Sequence, residues 1–292
     1  VASAAEHGLQ YLSEAYLSEA VVAASDAVDL GLLKQQGLGV VAQEQYLDFL
    51  RCRKFRQTLL CHQPINIDRS LQPERLRGLL IASTARPVAE RPEIVRSGVV
   101  EQFRVANGGV ISIDLPLAKA ALLHLGGIFP APMDFDELIL QARKALGGLP
   151  TQDEAAAREE TAKLCEFLLA SYASNMVELS FQRPPYMFTV SDRPTASPLA
   201  RLQAMRGSSL TSLRHTAIEV KDELARRLVM SLDGTRDRAT LLNELSEALR
   251  TGDIHLERND RALTGEFSAF AISADELEQK LKELVRLALL IA

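Results

Sequence analysis

Cysteine is scarce. The 292 residues hold three, Cys52, Cys61 and Cys165, too few and too scattered for a disulfide framework or a paired-cysteine zinc site. Reduced, mostly buried thiols are the expectation. Long apolar runs are also missing. The stretch from Val285 to Ala292 is interrupted by Arg286 and falls far short of the roughly 20 residues that a membrane-spanning helix needs. The opening Val1-Ala2-Ser3-Ala4-Ala5-Glu6-His7 lacks a basic region followed by a sustained apolar one, so no secretory signal is visible and the cytoplasm is the expected compartment. Positive charge is not in excess: a net charge of -5 and a pI near 5.7 argue against a whole-chain footprint on nucleic acid.

Chemical motifs are thin too. The histidines His7, His62, His124, His215 and His255 never stand four apart, and no HExxH run occurs, so no helix-borne metal site is expected. Cys61-His62 are neighbours, but adjacent helix residues point about 100° apart, and a Cys-His couple is normally assembled from distant sequence. No G-x-S-x-G turn nominates a serine nucleophile. A dinucleotide-type glycine loop should follow an apolar strand. The nearest match, Gly37-Leu38-Gly39, follows Lys34-Gln35-Gln36 instead and reads as an ordinary loop. Nothing here marks a self-sufficient enzyme.

What is present is a globular composition, with 47% hydrophobic and 24% charged residues and a mean hydropathy of +0.01, enough for two or three cores. Beginning at Val1 inside what reads as a helix end at His7-Gly8, the sequence looks like a piece of a longer protein. Leu9 to Leu12 suits a short strand. Asp26 to Leu60 reads as helical, with Tyr46, Leu47, Leu50, Leu59 and Leu60 on helix-face spacing against Arg51, Arg53 and Arg56. A second unit opens with the strand Leu79 to Ala82. Val99 to Val105, Asn107-Gly108 and Val110 to Ile113 form a hairpin signal, since both turn residues tolerate positive φ.

Asp114 is expected to cap a helix from Leu115 to Leu125 that Gly126-Gly127 stops. Asp134 or Asp136 starts another, through Leu146 to Gly147-Gly148, and Thr151 heads a third that carries Leu164, Cys165 and Leu168. Asn175 to Phe181 returns as a strand. This hairpin, helix, helix, helix and strand series between 98 and 182 is the element list of a winged-helix-like unit. The proline-bearing stretch Gln182 to Ser197 reads as a linker or strap. Helices follow over Val220 to Leu232, Ala239 to Leu249 (capped by Thr235 or Asp237) and a last segment capped by Asp275, while Arg250 to Ser273 reads as a mobile insertion. The class is α+β and helix-rich, divided as 1–70, 71–197 and 198–292.

The most pointed surface feature is Arg51-Cys52-Arg53-Lys54-Phe55-Arg56, where arginines interleave with an aromatic and can grip carboxylates or another chain. Arg51, Arg53, Lys54, Phe55 and Arg56 are therefore the candidate partner-binding residues. The plainer reading pairs these cations with Glu44 and Asp48 on the same helix. A winged-helix DNA-binding regulator is the competing function, but Asp153, Glu154, Glu159, Glu160 and Glu166 on one candidate reading helix would repel phosphates, and Asp222, Glu223, Asp233 and Asp237 dilute the arginines of the last unit.

The run Tyr46-Leu47-Asp48-Phe49-Leu50-Arg51-Cys52-Arg53-Lys54-Phe55-Arg56-Gln57-Thr58-Leu59-Leu60 resembles the Y-x-D-F-x-R-x-R-x-F-R-x-x-L signature of the predicted methyltransferase regulatory domain family. Gly8 to Ala15 is similar to that family's upstream stretch. Leu117-Ala118-Lys119-Ala120 and Leu232-Asp233-Gly234-Thr235-Arg236 are similar to the winged-helix-type part that follows it in bacterial protein lysine methyltransferases. The resemblance implies that S-adenosylmethionine is held by a separate catalytic domain, on the same or another chain, with no cofactor bound by these residues. It also implies a regulatory or substrate-positioning role. The expected partners are that catalytic domain and a protein substrate, with a homodimer also open; membrane and nucleic acid are not expected partners.

Overall fold

A computed structural model of the chain describes residues 2–15, 37–50, 52–69, 72–148, 154–253 and 272–291. The backbone divides into two compact units, one of residues 1–127 and 132–182, the other of residues 128–131 and 183–292.

The first unit begins with α1 (Ala2–Glu6) and β1 (Leu9–Glu14), joined through Gly8 at a φ of 70°. β1 pairs antiparallel with β2 (Thr58–His62), with a register shift between Tyr11 and Ser13. Between them lies α2 (Val40–Leu50). Helix was expected to continue to Leu60, but Leu59 and Leu60 are strand residues facing Ser13 and Tyr11. The helix stops at Cys52, whose φ is 50°. There Cys52 N–H donates to the Phe49 carbonyl and Arg53 N–H to the Asp48 carbonyl, the paired closing bonds of a left-handed helix end. The early part of the expected helix, Asp26 to Gln36, lies outside the described residues.

Next come a short 3-10 turn (Pro73–Leu76), β3 (Leu80–Ala82) and β4 (Arg86–Pro87). The hairpin β5 (Glu101–Arg104) and β6 (Val110–Ile113) pairs Arg104 with Val110. Gly108 takes the positive φ of the turn, and Asn107 Oδ1 accepts from Gly109 N–H, as the Asn-Gly pair predicts. Helix α3 (Pro116–Ile128) runs straight through Gly126-Gly127, so this pair is no stop; a tight crossing explains Gly126 below. Then follow β7 (Met133–Asp134), α4 (Phe135–Ala145), α5 (Glu154–Ala173) and β8 (Glu178–Ser180). Asp134 caps α4 by accepting from Asp136 N–H, while Thr151 lies outside the described residues. Two three-stranded antiparallel sheets result, β7-β3-β8 and β4-β5-β6. Phe103, Ile81, Leu122, Phe135, Leu138 and Leu168 are buried together between sheet and helices, each contributing about 1.5–3 kcal/mol of apolar burial.

In the second unit the expected strap does more than cross the surface. Tyr186 is buried, Met187 N–H donates to the Leu290 carbonyl, and β9 (Thr195–Ala196) pairs with β12 (Leu290–Ile291). Arg238 donates to the carbonyls of Val190 and Ser191 and pairs with Glu278, tying the strap to two helices. Helix α6 (Pro198–Ala204) and the hairpin β10 (Ser209–Thr211) and β11 (Ala217–Glu219) lead to α7 (Glu223–Ser231), α8 (Arg238–Thr251) and α9 (Ala274–Arg286). Asp222 caps α7 and Asp237 caps α8. Ser273, not Asp275, caps α9, in a reciprocal arrangement with Glu276 that satisfies two helix-end donors. Leu224, Leu228, Leu241, Leu245, Leu277 and Leu281 form the core. Most of the proposed insertion, 254–271, lies outside the described residues.

Candidate interaction site

The signature segment folds with its chemistry turned inward and its hydrocarbon turned outward. On α2, Glu44, Leu47 and Asp48 share one face by their three- and four-residue spacing. Leu47 is the buried residue of this helix. Asp48 gathers both arginines of the following connection: Arg56 Nε donates to Asp48 Oδ2 at 2.6 Å and its Nη2 lies 2.5 Å from the same oxygen, while Arg53 Nη1 sits 3.2 Å from Oδ1. Glu44 is held more weakly, 3.5 Å from the same Arg53 nitrogen.

Strand β1 delivers the rest. Glu14 is 3% exposed, and its Oε1 accepts from the hydroxyls of Tyr11, at 3.2 Å, and Thr58, at 3.4 Å. Glu14 Oε2 is buried and accepts from no donor among the described residues. Three carboxylates thus face two guanidinium groups in an enclosed place. Burial, with Glu44 and Glu14 nearby, holds the Tyr11 hydroxyl well above its ordinary range. Burial also raises the Glu44 carboxyl, against the pull of Arg53, and Glu14 reinforces the rise.

The opposite side of α2 presents Tyr46, Phe49 (72% exposed) and Leu50, and the following connection presents Phe55 (77% exposed) beside exposed Lys54. The five candidate residues therefore separate. Arg53 and Arg56 join the internal ion pairs, Lys54 and Phe55 face solvent, and Arg51 lies outside the described residues. Tyr46 and Phe49 did not enter the sequence-based candidate set because their spacing reads equally as a core face. Glu14 and Tyr11 were missed because an isolated six-residue strand gives no hint of which ionic group it completes.

A second ionic cluster lies in the other unit, where Asp233 pairs with Arg236 and Arg236 also reaches Glu244. A cavity of about 580 Å³ lies along α5, lined by Ala157, Thr161, Ala162 and Cys165 with Arg77, Arg143 and Arg158 balanced by Glu74 and Glu154. Gly37-Leu38-Gly39 leads directly into α2. Every strand pair among the described residues is antiparallel, whereas a doubly wound nucleotide site is built at the carboxyl edge of a parallel sheet. Among the described residues no helix is long and apolar enough to cross a membrane.

Residues 1–62 match the family model described as a predicted methyltransferase regulatory domain, and residues 192–289 match that of the PKMT C-terminal winged helix domain. An uncharacterized protein of Rickettsia prowazekii (strain Madrid E), RP789, is 24% identical over 268 residues, spanning 89% of this chain and 46% of that protein. A second from the same organism, RP027, is 25% identical over 202 residues, spanning 65% of this chain and 78% of that protein. Among solved structures, PKMT2 from Rickettsia typhi matches all of this chain and 58% of its own at a TM-score of 0.79 and 21% identity, and its complex with AdoHcy does so over 57% at 0.77. The chain thus spans about half the length of the first relative and somewhat more of the solved ones. It has the fold of that portion of PKMT2, and the two family models match its front and its rear.

Proposed function

We propose that these residues are the non-catalytic regulatory or substrate-positioning region of an S-adenosylmethionine-dependent methyltransferase acting on protein lysines. The regulatory signature in residues 1–62 carries this reading, and the antiparallel sheets of the described residues support it by offering no parallel-sheet switch point for an adenosyl group. The methyl donor then binds to a domain outside these residues, and Lys54, Phe55, Phe49 and Tyr46 form the surface that meets that domain. Arg53 and Arg56 act from behind, holding the connection that carries Phe55.

Calorimetric titration of the 292-residue chain with S-adenosylmethionine tests the division of labour. No heat of binding is expected, and micromolar affinity overturns the reading.

A further inference from the structure

Helix α2 is built the wrong way round for a surface helix. Its packed face holds buried Leu47 and partly buried Val41 beside two carboxylates, Glu44 and Asp48, and its solvent face holds Tyr46, Phe49 and Leu50. Two apolar side chains give a modest burial term, so attachment is sensitive to the charge balance beneath the helix.

That balance is one positive charge short among the described residues. Around Glu44 are Asp48 on its own helix, Tyr11 and Glu14 on β1, and Arg53 and Arg56 on the connection, while Thr58 on β2 donates to Glu14. Asp48 takes the short contacts of both guanidinium groups, and Glu14 takes two hydroxyl donors. Glu44 is left with a single 3.5 Å contact. A buried carboxylate without close compensation is relieved most simply by protonation.

We propose that α2 is a proton-dependent latch: it closes on the β1–β2 ribbon with a proton taken from solvent onto Glu44, loosens when that proton leaves, and so alters how Tyr46 and Phe49 are presented. The regulatory meaning of the latch rests on the function proposed above. The upward displacement of the Glu44 carboxyl by burial agrees with it. Its sign is fixed: a carboxyl raised in the folded state adds stability below its unfolded value and loses it as pH rises through the folded value.

Amide hydrogen exchange across residues 41–50 of the 292-residue chain, from pH 5 to 8 and corrected for intrinsic rate, tests the latch. In the wild type the opening of α2 should rise by up to about tenfold per pH unit between the ordinary glutamate value and the raised value of the latched Glu44, the slope of a single linked proton, and level off above it. In Glu44→Gln it should stay flat, at the protected level of the acidic wild type. A flat wild-type profile overturns the proposal without recourse to any variant. So does a Glu44→Gln chain that keeps the slope, or one that opens α2 at every pH. Heat in the methyl-donor titration would count against the functional reading and leave this profile unaffected, so the two failures are distinguishable.

Discussion

Gly126 crosses so close to the backbone of Ala85 that a Cβ on Gly126 would stand 1.9 Å from the Ala85 carbonyl oxygen. Both residues are buried, and α3 continues past the contact. The glycine exists for the crossing, and the neighbouring Gly127 has open space around it. Gly126→Ala should therefore destabilise the first unit by roughly 3 kcal/mol, the upper part of the range for overpacking, because carbonyl and helix must both shift. Gly127→Ala, inside the same helix, should stabilise by roughly 0.5–1 kcal/mol. Urea denaturation midpoints of the two variants should move in opposite directions.

Cys52 occupies a left-handed position that glycine takes without strain. The backbone of Cys52 and Arg53 already makes the paired closing bonds of α2, so Cys52→Gly should raise the stability of this helix end by roughly 0.5–1 kcal/mol relative to Cys52→Ala. Exchange protection of the last turn of α2 reports it.

Lys119 is fully buried, and its ammonium donates to three carbonyls, those of Glu93, Arg96 and Val99, at 2.8, 2.9 and 3.1 Å. One side chain thereby organises the whole loop ahead of β5. Lys119→Met keeps much of the volume but strips the three acceptors of their donor, and should cost about 3 kcal/mol. Limited proteolysis should cut between residues 93 and 99 in the variant well before it cuts the wild type.

Cys165 is buried on α5, and burial pushes its thiol up to about 11, with Glu74 adding to the rise. It should resist iodoacetamide at pH 8, where exposed Cys52 reacts, and become labelled only as the first unit unfolds. The raised value also means that stability present at neutral pH falls away as pH climbs toward 11, since the unfolded chain ionises first. Mass mapping after timed alkylation checks the order of labelling, and early modification of Cys165 would refute it.

Local signals in the sequence located most elements. Asn107-Gly108 announced the β5–β6 hairpin because only a few residue types tolerate its turn. Asp134 and Asp237 announced helix starts because each side chain accepts from the first-turn backbone. Leu59 and Leu60 misled because their spacing from α2 fits a helix until one knows that Cys52 ends it; a cysteine is a rare occupant of that position. Gly126 misled for the opposite reason, since a glycine required by a crossing looks in sequence like one required by a helix end. The candidate site was half legible. Lys54 and Phe55 could be named from composition, but the inward turn of Arg53 and Arg56 depends on Asp48 eight residues before Arg56 and on β1, more than thirty residues upstream.

The pairing of Thr195 with Ile291 sets an order of events during synthesis. β9 first meets the end of α7, where Thr195 bridges Asp233 and Ala196 N–H donates to the Leu232 carbonyl, and its ladder with β12 closes only when residues almost a hundred positions later have left the ribosome. Long-separation closures of this kind are slow. The first unit, whose residues all lie before 183, can reach its native arrangement while the second is still being translated.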